Sequence, residues 1–313
     1  MTSTLAEAPV GPKAGEGGHR RKLTLTDRDK AERRLGLRLV APAVIIMLAV
    51  TIYPICYSIW LSIQRYNLRF PNDRSYVWFA NYGKILSSSR FWATMGNTFL
   101  IVIVSVVAEL ILGMALALFM HRAIFGRNIV RTAILLPYGI ITVVSAFAFQ
   151  FAVSPNIGGF WHATSPPLDH HYTSLFVIII TEVWKTTPFM SLLLLAGLAT
   201  VPNDYVEAAR VDGANAFQRL WRVILPNMRA AVLVAVLFRT LDAVRIFDTV
   251  FIQTRGANNT QTLSQLGYNQ LISQLNLGLG SAVSVLLFII VIIIAFIFVK
   301  GFRTDLGQVR GER

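Results

Sequence analysis

The chain has 313 residues, 54% of them hydrophobic and only 14% charged, with a net charge of +13. That balance excludes an ordinary water-soluble domain and fits a protein that crosses a membrane several times. One cysteine, Cys56, excludes an internal disulfide framework and a Cys-based metal site.

Residues 1–34 are polar and rich in Gly, Lys and Arg, without the apolar core of a signal peptide. They are expected to form a disordered cytoplasmic tail, which makes the first apolar stretch an uncleaved anchor. Six stretches have the roughly 20 apolar residues that a bilayer crossing needs: 37–63, 97–120, 129–153, 174–199, 230–253 and 281–301. All should be helices, because lipid offers no partner to a free backbone group. The expected organisation is a six-helix membrane domain over 35–303 and a second cytoplasmic tail over 304–313. When basic residues at the span edges are counted with their flanks, 20 of the 29 fall on one side and six on the other, with Lys185, Arg239 and Arg245 inside spans. This asymmetry places both termini and the segment 203–226 in the cytoplasm. The basic residues are thereby assigned to topology and contact with anionic lipid, not to nucleic acid.

The outer segment 64–96 is rich in aromatic residues, among them Tyr76, Trp78, Tyr82 and Trp92. Two readings stand: anchoring at the headgroups, and a docking surface for an external solute receptor. Residues 154–172 hold Pro155, Gly158, Gly159, Pro166 and Pro167 with His162, His170 and His171. The Pro and Gly content marks an irregular loop. Two adjacent histidines without a further ligand cluster do not make a metal site, so none is expected. Pro54, Pro137 and Pro188 should kink their helices, either for packing or to expose backbone to a solute path.

Between the fourth and fifth spans the chain turns polar but stays helix-prone. Asn203 is a candidate N-cap, and Asp204 and Glu207 suit the start of a helix. Ala208 and Ala209 allow close approach of another backbone, and Gly213 supplies a stop. Asn215 with Gln218 reads as a capping box for a second short helix that Pro226 should close. The outer segment 255–280 is amide-rich, and 261–275 is expected to form an amphipathic helix at the outer surface.

Seven ionisable residues lie within spans: Glu109, Glu182, Lys185, Arg239, Asp242, Arg245 and Asp248. Each would cost about 2.5–3.5 kcal/mol facing lipid at mid-bilayer, so they must face protein or water. Spacing pairs Glu182 with Lys185, and Arg239, Asp242, Arg245 and Asp248 into a ladder along one side of the fifth span. Two readings stand again: these groups line a solute path with Trp184 and Phe247 as stacking surfaces, or they form ion pairs that hold a partner subunit. Glu182 and Asp242 are the first candidates for a path.

The run Glu207-Ala208-Ala209, then Asp212-Gly213-Ala214, then Ile224-Leu225-Pro226 resembles the EAA loop in the membrane subunits of ATP-binding-cassette importers, in order and spacing. Trp78 to Tyr82, Phe91-Trp92 and Asn97-Thr98-Phe99 resemble a stretch of carbohydrate-importer permeases. Phe247-Asp248, Thr254 and Thr260 to Leu263 also match that branch, from which Gly256-Ala257-Asn258 departs where Gly-Gly-Pro is usual. The resemblance covers most of 35–303 and is greatest to the maltose/trehalose type, in particular the first permease of actinobacterial trehalose importers. It implies an all-α polytopic membrane protein with six transmembrane helices and a cytoplasmic coupling-helix loop, the type I importer permease fold, in the cytoplasmic membrane of a bacterium. Glu207, Ala208, Ala209, Asp212, Gly213, Ala214, Leu225 and Pro226 would couple to an ATPase. Glu182, Trp184, Asp242, Arg245, Phe247 and Asp248 would border the path of a sugar, and Tyr76, Trp78, Tyr82 and Trp92 would meet the receptor. Implied partners are a second, different permease, two ATPase subunits that bind ATP and Mg, and an extracytoplasmic solute-binding protein, either a lipoprotein or a periplasmic receptor. The chain itself carries no phosphate-binding loop and no catalytic constellation, so it should be no enzyme and hold no cofactor. The alternatives are an ion-coupled secondary transporter, a channel, and an importer permease for another solute such as glycerol phosphate.

Overall fold

The computed structural model describes residues 27–122, 126–154 and 167–310. His162 and the Pro and Gly residues of 155–166 lie outside the described residues, as do residues 1–26 of the tail expected over 1–34. The chain divides into two units, Met1–Pro54 and Ile55–Arg313. In the first, helix α1 (Asp27–Ser62) begins, and it takes in the last eight residues, 27–34, of the expected tail. Ala31 and the run of Asp, Glu, Lys and Arg around it are compatible with helix, so polarity alone does not stop it.

The second unit opens with the end of α1. It continues through a short antiparallel hairpin, β1 (Gln64–Arg65) on β2 (Ser75–Tyr76), and helix α2 (Ala80–Leu86). Asn81 donates from Nδ2 to the carbonyls of Ser62 and Gln64, both at 2.8 Å, and so closes the backbone where helix gives way to hairpin. Then come α3 (Ser89–Arg122), α4 (Arg127–Gly139), α5 (Thr142–Ala152) and α6 (His171–Leu198). After α6 follow α7 (Asn203–Val211), α8 (Ala216–Arg219), a π turn over Leu220–Ile224, and α9 (Leu225–Asn227). The chain ends with α10 (Arg229–Ala243), α11 (Asp248–Gln253), α12 (Leu263–Tyr268) and α13 (Leu277–Arg310).

Among the described residues four helices are long and apolar enough to cross a bilayer: Arg38–Ser62, Ser89–His121, His171–Leu198 and Leu277–Gly301. Two of the six expected spans depart from a single rod. The third is split into α4 and α5, which meet at 86°. Pro137 lacks the N–H of a helix interior, and the chain becomes extended at Ile140 (ψ 135°) and Ile141 (ψ 137°) before it coils again. The fifth breaks between α10 and α11, where Phe247 sits at φ −137°, ψ −58°. The carbonyl of Ile246 at that break accepts a 3.1 Å bond from Thr262 Oγ1, as a backbone group away from water requires. The expected outer helix over 261–275 is shorter, running from Leu263 through a π turn to Ser273. Leu263 and Leu266 are buried against α13, so it is packed rather than laid on a surface. The final helix continues to Arg310, through the start of the expected second tail.

The largest buried cluster joins α3, α6 and α10: Val102, Val106, Met114, Met190, Leu194, Leu198, Ala235 and Ala243. Lipid tails are as apolar as these side chains, so close packing and polar contacts must hold the helices together. Gly197 shows how close they come. A Cβ placed there would lie 2.5 Å from the Cβ of Ala231 on α10.

Candidate functional site

The segment between α6 and α10 is a helix, a Gly turn and a second helix. Helix α7 starts on Pro202, whose extended backbone (ψ 132°) is the cap; Asn203 is already helical and its side chain caps nothing, contrary to the sequence expectation. At the other end Gly213 has φ +79°, a left-handed conformation that favours glycine. Its N–H donates to Arg210 O at 3.1 Å, and Ala214 N–H donates to Ala209 O at 2.9 Å. These two bonds form a Schellman closure, and they tie the Glu-Ala-Ala run directly to the Asp-Gly-Ala run. Asn215 and Gln218 form the expected capping box, each side chain bonded at 2.8 Å to the other's backbone N–H.

Pro226 does not close the second helix. The chain widens into the π turn over Leu220–Ile224 just ahead of it and recoils through α9 into α10, with only Met228 irregular (φ −105°, ψ 13°). A π turn is one way for a helix to pass a residue that cannot donate. Glu207, Ala208, Asp212, Gly213 and Pro226 are exposed, and Ala209, Ala214 and Leu225 half-buried. Neither Glu207 nor Asp212 has a partner for its carboxylate among the described residues. Glu207 borders a groove of about 700 Å³, with Phe119 and His121 at the end of α3, Val206 and Arg210 of α7, and Phe217 of α8. The aromatic segment leads into the first turns of α3, and the groove of the α7–α8 segment meets its last turns, so the two lie toward opposite ends of a 34-residue helix, about 50 Å long at 1.5 Å per residue.

Inside the membrane domain the ionisable residues do not form the expected ladder. Arg239 is 1% exposed and gathers three carboxylates from three helices. It holds Glu109 of α3 with two bonds, Nε to Oε2 at 2.5 Å and Nη2 to Oε1 at 2.9 Å. Its Nη2 also reaches Glu182 of α6 at 3.1 Å, and its Nη1 reaches Asp242 on its own helix at 2.8 Å. Thr186 Oγ1 donates to Glu109 at 2.7 Å, and Thr249 of α11 donates to Glu182. Buried charge is tolerated only when paired and hydrogen-bonded in this way.

Glu182, expected to pair with Lys185 and to border a path, is instead buried in this cluster, bridging α10 and α11 across the break in the fifth span. Asp242 is different: its side chain is 68% exposed. Arg245 and Asp248 are exposed too and pair neither with each other nor with Asp242; Arg245 donates from Nε to Leu241 O at 3.1 Å. Of the expected ladder only the Arg239–Asp242 pair forms; the other partners of Arg239, Glu109 and Glu182, are 130 and 57 residues away, beyond what neighbours three residues apart can show.

Trp184 is 41% exposed, edge-on to Phe149 at 5.5 Å. Phe247 is half-buried and stacked with Phe251 at 5.1 Å and tilted against Tyr268 at 5.0 Å. In the aromatic segment Tyr76, Trp78 and Trp92 are exposed. Tyr82 is turned inward, its hydroxyl 2.6 Å from Ser62 Oγ, while neighbouring Phe79 is 75% exposed. Of the two adjacent histidines, the Nδ1 of His171 lies 2.9 Å from the carbonyl oxygen of Asn258.

Comparison with known proteins adds to this geometry. The family profile described as binding-protein-dependent transport system inner membrane component matches residues 109–306. The chain is 53% identical over 275 residues to the trehalose transport system permease protein SugA of Mycobacterium tuberculosis, covering 87% of this chain and 90% of that one. It is 35% identical over 285 residues to the trehalose/maltose transport system permease protein MalF of Thermococcus litoralis, covering 88% and 96%. A chain from a bacterial alginate ABC transporter in complex with an alginate pentasaccharide-bound periplasmic protein superposes with a TM-score of 0.73 at 19% identity, over 87% and 94% of the two chains. That last likeness concerns the fold.

Proposed function

The chain belongs to the binding-protein-dependent transport system inner membrane component family as a permease subunit of an ATP-binding-cassette sugar importer, and on that premise we propose that the sugar is trehalose. Its membership does not favour the ion-coupled transporter or the channel. The observation that carries the choice of trehalose is the 53% identity with a trehalose permease along nearly the whole of both chains.

The permease pairs with a second, different permease, and two ATPase subunits hold ATP and Mg. An extracytoplasmic solute-binding protein delivers the sugar to the aromatic segment, where Tyr76, Trp78, Phe79 and Trp92 offer exposed anchors. Both termini and the α7–α8 segment face the cytoplasm. Closure of the ATPase pair pushes on that segment, where the exposed Glu207 and Asp212 carboxylates and the Gly213 turn offer a contact surface. Because the segment joins α6 to α10, the push reaches the helices that carry Trp184 and Asp242, and the break beyond α10 that holds Arg245. Opening and closing around those residues gives alternating access.

The test is accumulation of labelled trehalose in proteoliposomes holding the full complex, with the receptor and internal ATP. Accumulation that needs both is expected. Uptake of glycerol phosphate or another sugar, with trehalose excluded, would overturn the choice of solute.

A further inference from the structure

We infer that Arg239 is a positioning residue: by holding one oxygen of Asp242 it keeps the Asp242 carboxylate and the Arg245 guanidinium apart, both open to hydroxyl groups of the transported sugar. This rests on the proposed role of Asp242 and Arg245 at the solute path.

Asp242 and Arg245 are three residues apart, a spacing at which opposite charges pair readily on a continuous helix, and α10 ends between them at Ala243. They do not pair here. Asp242 Oδ2 is taken by Arg239 Nη1 at 2.8 Å, and Arg245 Nε is turned to the carbonyl of Leu241 at 3.1 Å. Asp242 Oδ1 accepts no bond among the described residues, and the side chain is 68% exposed. Exposed charges within a span must face water or protein rather than lipid. The result is one open carboxylate oxygen and one open set of guanidinium donors on residues three apart in the chain. Sugar hydroxyls both donate and accept, so this pair suits a neutral polyhydroxyl compound.

Arg239 can hold Asp242 without being displaced because it is itself fixed. Two bonds to Glu109 and one to Glu182 fix its plane, and Thr186 and Thr249 occupy further lone pairs of those carboxylates. The Asp242 rotamer is therefore set before the sugar arrives, which removes an ordering cost from binding.

The experiment measures uptake kinetics of the full complex in proteoliposomes, using trehalose or whichever sugar of a neutral panel the unmodified complex accumulates. Uptake by the unmodified complex reads the transport proposal alone; the role of Arg239 is read from the ratio of variant to unmodified KM. Asp242→Asn, Arg239→Lys and the double variant are each expected to raise KM about tenfold, the scale of one charge-assisted hydrogen bond. Vmax should stay within about threefold, and the double variant should be no worse than either single one, because the two residues act as a unit. Glu109→Gln leaves Arg239 its volume but loosens its hold, and should raise KM in the same direction by a smaller factor. An unchanged KM for Asp242→Asn, additive effects in the double variant, or an assembled Glu109→Gln complex with unmoved KM would each overturn the inference. Failure of both Arg239→Lys and Glu109→Gln to assemble would overturn it as well, assigning the cluster to stability alone.

Discussion

In the segment between α6 and α10 the carboxylates of Glu207 and Asp212 stand exposed and unpaired among the described residues. Inside the membrane domain Glu109 accepts three hydrogen bonds and Glu182 two. The same chemical group is treated in opposite ways because the alternatives differ. Where water is at hand, a free carboxylate is solvated and costs nothing until a partner subunit replaces the water. Within a span, an unpaired one has no such reserve. Open groups at the edge therefore stay available to another protein, and closed groups in the interior fix how the helices pack.

The sharpest way to break this contrast is at its closed end. Arg239→Leu strips the partner from three carboxylates at once, and a buried pair broken on one side loses about 3–5 kcal/mol. Purified complex should show a large fall in Tm and in yield; an unmoved Tm would mean that the cluster holds nothing. Next comes Gly213→Val, which puts a β-branched side chain at φ +79° and strains the turn by about 1–3 kcal/mol. Nothing lies within 4 Å of the site of its Cβ, so the membrane fold should stay intact while uptake falls and ATP hydrolysis continues. Parallel loss of hydrolysis and uptake would point to misfolding instead. Glu207→Lys removes no internal contact, so Tm should not move; transport coupled to hydrolysis should drop about tenfold through like-charge repulsion at the ATPase. Normal uptake by this variant would remove Glu207 from the coupling surface. The smallest effect belongs to Asn215→Ala, which deletes one half of the capping box and about 1 kcal/mol of helix stability. Faster proteolysis near residue 215 with partial uptake is the expected signature, and unchanged proteolysis would show that the box is redundant.

The sequence made the open region far easier to read than the closed one. A capping box, a Gly stop and a polar interruption between apolar runs are local, and each is encoded within four residues. Asn203 and Pro226 were misread by a small margin, since a cap can come from a proline backbone and a π turn can carry a helix past a proline. The Arg239 cluster was different. Its charges were visible, but three to four helices converge on it, and only the packing of α3 on α6 and α10 brings Glu109 and Glu182 within reach. The bend in the third span had a signal in Pro137, three residues before the extended pair at Ile140 and Ile141. The break after Ala243 had none of the usual ones: Val244-Arg245-Ile246-Phe247 contains neither proline nor glycine. What marks it is the density of charge around it, which the sequence offered as a solute path and not as a helix end.

The near-contact of Gly197 with Ala231 has a mechanical consequence. Helices α6 and α10 meet beside the segment that joins them, with no room for a methyl group between Gly197 and the Ala231 side chain. On the coupling role proposed for that segment, a push on it would swing both rods as a single yoke, and a gate between them would open at the far end.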